Sequence, residues 1–398
     1  MFDERPHRIG MLSEILVSTG HKVTWWTTSF DHQTKSYLHN KDREVSVGHA
    51  RLKMIFLHST VSYSKNISIN RLRNHRQVAG KMKLLSRDKT PPDIILCSYP
   101  TIELSRWAVE YGEANHIPVV LDIRDLWPDI FVNPFPSFLK PIISSLVKLY
   151  YRNVPRIFMK ASALTAVSES YLKWGIRQRG NDTGNHQVFP LAYKASKLHL
   201  ANSPTSKLPS KLSIWFIGSF GYTYDLETVI QAAHQLEYLG SDLQFIITGD
   251  GQKMDEWAHM AANARNIVFT GWVDEGEISK LGTSASVGLM AYEAGAPQGL
   301  PNKLFEYMSF GLAILSSLEN ETKELVAREQ IGISYEARNV NSLVQAIKKL
   351  LENPSLVAEY GQNAAKSFST SYSAQRVYGR YEQYLQEIVN SWDYSYED

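Results

Sequence analysis

The segment Gln298-Gly299-Leu300-Pro301-Asn302-Lys303-Leu304-Phe305-Glu306-Tyr307-Met308 holds the residue types best suited to chemistry. It follows an apolar run at Val287–Met290 that reads as a strand. Gly299 and Pro301 mark a tight loop, and Leu304, Phe305 and Met308 open a helix. The free amides of a helix start, with its dipole, attract phosphate. Lys303 adds a full positive charge there, and Glu306, one turn on, faces the same side. One cation for a diphosphate and one carboxylate for a ribose diol suit a nucleotide sugar. Spacing alone also allows an ordinary capped helix with a surface Lys and Glu.

Three further strand ends carry glycine. Gly218-Ser219-Phe220-Gly221 follows one, Gly249-Asp250-Gly251 another, and Gly271-Trp272-Val273 a third. Glycine lets a backbone approach a ligand phosphate closely. Each turn is a weak signal, and their convergence with the Lys303 loop on one crevice is the stronger one. In the first half, Asp122-Ile123-Arg124-Asp125-Leu126-Trp127-Pro128-Asp129 clusters charge at the end of an apolar run. Such charges are costly unless paired or functional. An internal pair of Arg124 with Asp125 or Asp129 competes with a role in binding.

A basic stretch has a different character. Between Ile130 and Ser168 there is no acidic residue, while Lys140, Lys148, Arg152, Arg156 and Lys160 alternate with apolar and aromatic residues from Phe135 to Tyr151. That mixture suits a basic amphipathic surface for anionic lipid. The alternative is an apolar face packed on a sheet with solvated cations. A second basic group, Lys65, Arg71, Arg73, His75, Arg76 and Lys81, lies upstream.

The elements that must position these residues alternate along the whole chain. Strands are expected at 23–28, 52–57, 93–98, 118–123, 163–167 and 187–191, then at 212–217, 243–248, 267–269, 287–290 and 313–316, with helices between. The alternation argues for α/β architecture with parallel sheets. The polar stretch 201–210 reads as a linker. The expected domains are therefore 1–200 and 211–370, with a helical tail at 371–398; the resemblance drawn below makes the first the acceptor side and the second the nucleotide-sugar side. Ligands of such sheets sit at the carboxyl ends of strands, and a cleft between the halves is the expected active site. The first periodic segment, Ile9 to Leu16, is already helical. The first half is thus expected to lack the strand that is central in the 3-2-1-4-5 order, and Met1 is expected not to be the natural start.

Composition closes off other classes. The chain has 398 residues, 43% hydrophobic and 21% charged, which excludes a disordered protein and allows two or three cores. Its 42 basic and 40 acidic residues give a net charge of +2, too little for a nucleic-acid footprint. The single cysteine, Cys97, allows no intrachain disulfide and no multi-cysteine metal site, and fits a reducing cytoplasm. No apolar run is long enough for a transmembrane helix, and the first residues do not form a signal peptide.

Taken together, Arg5-Pro6-His7-Arg8, Gly20-His21-Lys22-Val23-Thr24, Arg124-Asp125-Leu126-Trp127-Pro128, Ala166-Val167-Ser168, the Gly218 turn, Gly249-Asp250-Gly251 and Pro301-Asn302-Lys303 resemble glycosyltransferase family 4. The likeness is most specific in the second half, and closest to the bacterial subgroup that builds O-antigen and other surface polysaccharides. It implies a GT-B fold, with two Rossmann-like parallel-sheet domains facing a cleft. It implies a retaining transfer from a nucleotide-sugar donor to a lipid-linked or polysaccharide acceptor, of hexosyl or N-acetylhexosaminyl type, with no metal and no cofactor. Gly218, Ser219, Gly249, Trp272, Val273, Gln298, Gly299, Leu300, Asn302 and Glu306 would bind the donor. Lys303 would stabilise the leaving group, and the acceptor proton would pass to the departing phosphate. Asp125 and Arg124 would orient the acceptor, with Arg5, Arg8 and His32 as further candidates. The family's signature is two glutamates separated by seven residues; here the second is Glu306 and the first position is Gln298. The loop after Gly218 also lacks the cations that many members have there. Lys140, Lys148 and Arg152 would hold the protein at the cytoplasmic face of the membrane. A nucleotide-sugar epimerase of the same fold and a non-catalytic binding protein are the alternatives.

Overall fold

The computed structural model describes residues 8–32, 34–48, 50–65, 68–129, 132, 136, 138–194, 211–296 and 298–393, apart from the side chains of Lys148, Tyr150 and Asp393. The expected linker at 201–210, Arg5 and the side chain of Lys148 lie outside the described residues. The chain divides into two compact units. One is Leu12–Phe189 with the chain from Gly379 onward; the other is Pro190–Tyr378 with the chain up to Met11.

The N-terminal unit begins within α1 (Arg8–Ser18) and distributes its strands over separate sheets. β1 (Val23–Thr28) opens the first of them, and β2 (Phe30–Asp31) and β3 (Ser36–Tyr37) form a small hairpin. β4 (Arg43–Ser46) pairs antiparallel with β5 (Leu52–Leu57), which pairs in parallel with β1, Val23 opposite Leu52. α2 (Ile69–Leu85) leads to β6 (Ile95–Tyr99), α3 (Ile102–Asn115) and β7 (Val119–Ile123). α4 (Lys140–Tyr150) and α5 (Val154–Lys160) precede β8 (Ala163–Ala166), α6 (Glu169–Arg179) and β9 (Gln187–Val188). The order β6-β7-β8-β9 is parallel throughout. β7 and β8 are fully buried, as strands covered on both faces must be. Among the described residues, β1 pairs only with β5 and β6 only with β7, and Trp25, Trp26, Ile95 and Leu96 stay half-buried.

The C-terminal unit holds one six-stranded parallel sheet, order β12-β11-β10-β13-β14-β15. Its elements in chain order are β10 (Leu212–Ile217), α7 (Leu226–Tyr238), β11 (Leu243–Thr248), α8 (Met254–Met260) and β12 (Ile267–Gly271). After these come α9 (Glu275–Ser284), β13 (Val287–Met290), α10 (Asn302–Ser309), β14 (Ala313–Ser316), α11 (Glu321–Arg328) and β15 (Gly332–Ser334). α12 (Val340–Glu352), α13 (Pro354–Ser367) and the first turn of α14 (Ala374–Asp393) close the unit. Asp225 caps α7 through a hydrogen bond from the Thr228 amide, and Gly240, at φ +71°, ends it. The strand alternation therefore builds parallel sheets as expected. The two-residue β2 and β3, the largely exposed β4 and the three-residue β15 carry too little apolar pattern to be read from sequence.

The rest of α14 belongs to the N-terminal unit, where the Tyr381 ring stacks on Phe189 at 4.0 Å and the Tyr381 hydroxyl meets Thr165 Oγ1. Thr165 in turn donates to the buried carboxylate of Asp122 at 3.1 Å. The buried Asp122 at the head of the charged stretch is thus hydrogen-bonded inside the sheet.

Candidate functional site

At the carboxyl edge of the six-stranded sheet, three strand ends are tied together. The Gly218 amide donates to the Thr248 carbonyl at 3.0 Å, the Gly249 amide to Gly271 at 2.9 Å and the Phe220 amide to Asp250 at 2.8 Å. Gly249 lies at φ +140°, and a Cβ there would fall 1.8 Å from the Gly218 carbonyl oxygen. That glycine is required because two loops meet there. At Gly218, a Cβ would fall 2.8 Å from Lys303 Nζ, so this glycine makes room for the lysine.

Lys303 lies in the first turn of α10 and is only 7% exposed, so it is no surface lysine. Its Nζ has no hydrogen-bond partner. It sits among three aromatic rings, 4.0 Å from the centroid of Tyr224, 4.2 Å from Phe216 and 5.3 Å from Tyr292. Burial pulls its pKa from the ordinary 10.5 to about 7, against an opposing pull from Glu306. Ring faces stabilise the cation only in part, and a buried ammonium without an anionic oxygen is poised to gain one.

The helix that carries Lys303 is fixed from below. Tyr307 Oη accepts from the Ile217 amide at 3.0 Å and donates to the Leu289 carbonyl at 3.1 Å, bridging β10 and β13. No side chain caps the start of α10 and no acid occupies its first turn, so its dipole and free amides are left for a ligand. Asn302 is exposed at that start, and Glu306 is half-buried one turn on. In the preceding loop Gln298 Oε1 is buried without a partner, and the Gly299 carbonyl accepts from Thr322 Oγ1. Leu300 and Val273 pack against the apolar cluster around Leu304. Ser219 is exposed, and Trp272 is 77% exposed beyond the Gly271 turn. The edge therefore offers a buried cation, a free helix start and an unpartnered amide oxygen. Such groups suit a diphosphate and a hydroxylated ring.

Of the residues the sequence singles out, the structure brings Lys303 and Gly218 together. Tyr224, in the loop after β10, and Tyr292, after β13, were not among them, and their shared contact with Lys303 is a product of the fold.

In the N-terminal unit the charged stretch is arranged otherwise than as ion pairs. Arg124 is exposed, and its backbone amide donates to the Tyr99 carbonyl at 2.9 Å. Among the described residues no ion pair joins it to Asp125 or Asp129. Asp125 accepts from its neighbour's amide, Leu126, and from Trp127 Nε1 at 3.2 Å; Asp129 accepts from Trp174 Nε1 at 2.8 Å. Both carboxylates orient indoles. Arg8 is buried, donating to the Pro190 carbonyl at 3.0 Å. His32 is exposed and meets Tyr63 Oη at 3.0 Å.

The basic stretch shows its apolar residues to solvent. Phe138, Ile142, Leu146 and Leu149 recur on one helical face and are 59% to 76% exposed. Lys140 is half-buried, Arg152 and Arg156 are exposed, and Lys160 pairs with Glu113. Packing of this face on a sheet, the alternative drawn from sequence, is not what the structure shows. Among the described residues no helix is long and apolar enough to cross a membrane.

Comparison with known proteins adds a family to this geometry. Residues 203–367 match the family described as glycosyl transferases group 1. That match spans the six-stranded sheet and the segment that carries Lys303. An uncharacterized glycosyltransferase of Methanocaldococcus jannaschii is 25% identical over 244 residues, 59% of this chain. The chain spans 60% of that relative's length. The sucrose-phosphate synthase of Thermosynechococcus elongatus superposes with a TM-score of 0.71 at 15% identity, over 96% of this chain and 93% of its own. HepE of Anabaena, solved in complex with UDP, gives 0.59 at 13% identity, over 84% of this chain and 86% of its own. The fold is that of the GT-B glycosyltransferases.

Proposed function

We propose that the protein is a glycosyltransferase that binds a nucleotide-sugar donor at the carboxyl edge of its C-terminal sheet, and transfers the sugar with retention to a lipid-linked or polysaccharide acceptor in surface-glycan biosynthesis. The observation that carries the reading is Lys303, a buried ammonium without a hydrogen-bond partner at an uncapped helix start. It lies inside the segment that matches the glycosyltransferase family. The UDP bound by the structurally similar HepE agrees in ligand class.

In this reading the donor diphosphate meets Lys303 and the amides at the start of α10. Those groups are preorganised and desolvated, so they stabilise the charge that grows on the phosphate as the glycosidic bond breaks. Diphosphate binding returns Lys303 to its charged form. Glu306 takes a ribose diol, and Gln298 Oε1, an acceptor without a donor, takes a sugar hydroxyl. The acceptor hydroxyl gives its proton to the departing phosphate, while Arg124 and Asp125 line the acceptor side.

The exposed stripe of Phe138, Ile142, Leu146 and Leu149, flanked by Lys140, Lys148 and Arg152, brings the protein to an anionic membrane face in the cytoplasm. Each Lys or Arg near such a surface contributes about 1 kcal/mol, screened by salt.

The test incubates the purified protein with a panel of nucleotide sugars, with and without anionic vesicles carrying a lipid-linked acceptor. Sugar transfer that requires the acceptor supports the proposal. A changed sugar nucleotide without acceptor identifies an epimerase. Neither transfer nor donor hydrolysis from any donor identifies a binding protein. Sedimentation with anionic vesicles should be lost in Ile142→Glu/Leu146→Glu.

A further inference from the structure

The rings around Lys303 are held by the backbone as well as by packing. The loop from Ser219 to Tyr224 carries no charged residue and brings a phenol to the ammonium. The Glu293 amide donates to the Thr223 carbonyl at 3.0 Å, and the Asp225 amide to the Ala291 carbonyl at 3.3 Å. Those bonds set Tyr224 opposite Tyr292 in an isolated antiparallel bridge. The Asp225 carboxylate then accepts from the amides of Thr228 and Arg338 at 3.2 and 2.9 Å, and the Arg338 side chain pairs with Glu293 at 2.6 Å. Both strands of the bridge are thereby anchored.

The Tyr224 and Tyr292 rings lie 4.9 Å apart, and Tyr224 meets Phe216 edge to face at 5.2 Å. A Cβ at Gly218 would fall 2.8 Å from Lys303 Nζ and 3.3 Å from Tyr224 Cζ, so the amine sits between the turn and the ring. Phe216 and Tyr292 are buried, whereas Tyr224 is half-buried; of the three rings it is the one that reaches the surface. Burial raises the pKa of both phenols, so they stay neutral and lend the lysine no counter-charge. Tyr307, also kept neutral by burial, is engaged with Ile217 and Leu289. Glu306, on the lysine's own helix, pulls its pKa upward. The amine nevertheless falls to about 7, so exclusion of water outweighs the rings and Glu306 together.

We propose that Tyr224, braced by Tyr292, is a positioning residue for donor binding: its ring holds the Lys303 amine at the Gly218 turn and keeps water from it, so that the amine meets the donor's diphosphate from one fixed, dry position. The proposal rests on the reading that puts the diphosphate at the start of α10. On that reading the amine gains a proton as the donor binds, and Tyr224 sets how much of one.

Calorimetric titration of UDP at pH 6, and at pH 8 in two buffers of different ionisation enthalpy, reads both affinity and proton uptake. The wild type should take up about 0.9 proton per UDP at pH 8, because an amine with a pKa of about 7 is mostly neutral there. Tyr224→Ala should admit water to the amine, and its uptake should fall below about half a proton. Its UDP affinity at pH 6, where the amine is charged in both proteins, should drop about 5-fold, the effect of one long side chain that binding must order again. Tyr224→Phe keeps the ring and should keep the wild-type uptake and affinity. If circular dichroism shows that Tyr224→Ala does not fold, Tyr224→Leu takes its place with the same expected signs. Lys303→Met separates the two claims. Wild-type affinity and uptake in Lys303→Met would overturn the donor reading itself. Weakened binding in Lys303→Met, with wild-type uptake in Tyr224→Ala, would leave that reading standing and overturn the role of Tyr224. Equal loss of uptake in Tyr224→Phe and Tyr224→Ala would also overturn it, by placing the effect on the hydroxyl.

Discussion

The two units spend similar apolar strands differently. In the C-terminal unit six strands form one continuous parallel sheet, and the four-residue β13 and β14 at its middle are completely buried. In the N-terminal unit the strands fall into separate sheets, and the strands that end them, β1 and β6, leave Trp25, Trp26, Ile95 and Leu96 half in solvent. A parallel strand is stabilised by neighbours on both edges and cover on both faces. Where one edge lacks a neighbour, the same residue types contribute less. The first arrangement suits a rigid floor for a charged ligand.

The largest expected effect tests that contrast directly. Trp215 in β10 is completely buried, and its Nε1 donates to Thr248 Oγ1 at 3.0 Å. Trp215→Ala should cost about 3–5 kcal/mol, and Trp25→Ala in half-buried β1 less than about 2 kcal/mol. Urea unfolding of the two variants measures the difference. Equal losses would mean that β1 is as well supported as β10.

A smaller effect concerns pH. Between about pH 7 and the ordinary 10.5, the unfolded chain keeps the Lys303 proton and the folded chain gives it up. Stability contributed at this position therefore rises with pH across that window, by at most about 1.4 kcal/mol per unit, and is flat below it. Lys303→Met should lack the rise and be at least as stable as the wild type at pH 7, because the buried ammonium is gone. A pH series of urea midpoints for the two proteins reads this out. Identical slopes would place the lysine in solvent.

What the sequence made legible follows the same division. The strands of the C-terminal sheet are short apolar runs, with glycine closing β10, β11 and β12, and β10, β11, β13 and β14 start and stop where their patterns do. The loop from Gln298 to Lys303 stood out by its turn residues before a helix, but its spacing alone did not separate a buried lysine from a surface one. The aromatic cage was not legible, because Phe216, Tyr224 and Tyr292 look like ordinary core residues until β10, the loop after it and the end of β13 converge on one ammonium. The basic group around Arg71 showed as a run of charge. The rings that the Arg71 guanidinium faces, Tyr63 and Trp127, come from distant segments, which no local pattern connects. Asp125, which the sequence left open to a pair with Arg124 or a role in binding, accepts from an indole.

The claim on which the account turns is that Lys303 carries the donor's diphosphate. Calorimetric titration of UDP into the wild type and Lys303→Met tests it most directly. Loss of a charge-assisted contact of about 1.5–3 kcal/mol predicts a 10- to 100-fold weaker affinity in the variant, on the order of one to two decades. It also predicts a wild-type affinity that declines as pH rises above about 7, where the free lysine has lost its proton. Equal UDP affinity in the two proteins, with no decline in the wild type, would contradict it.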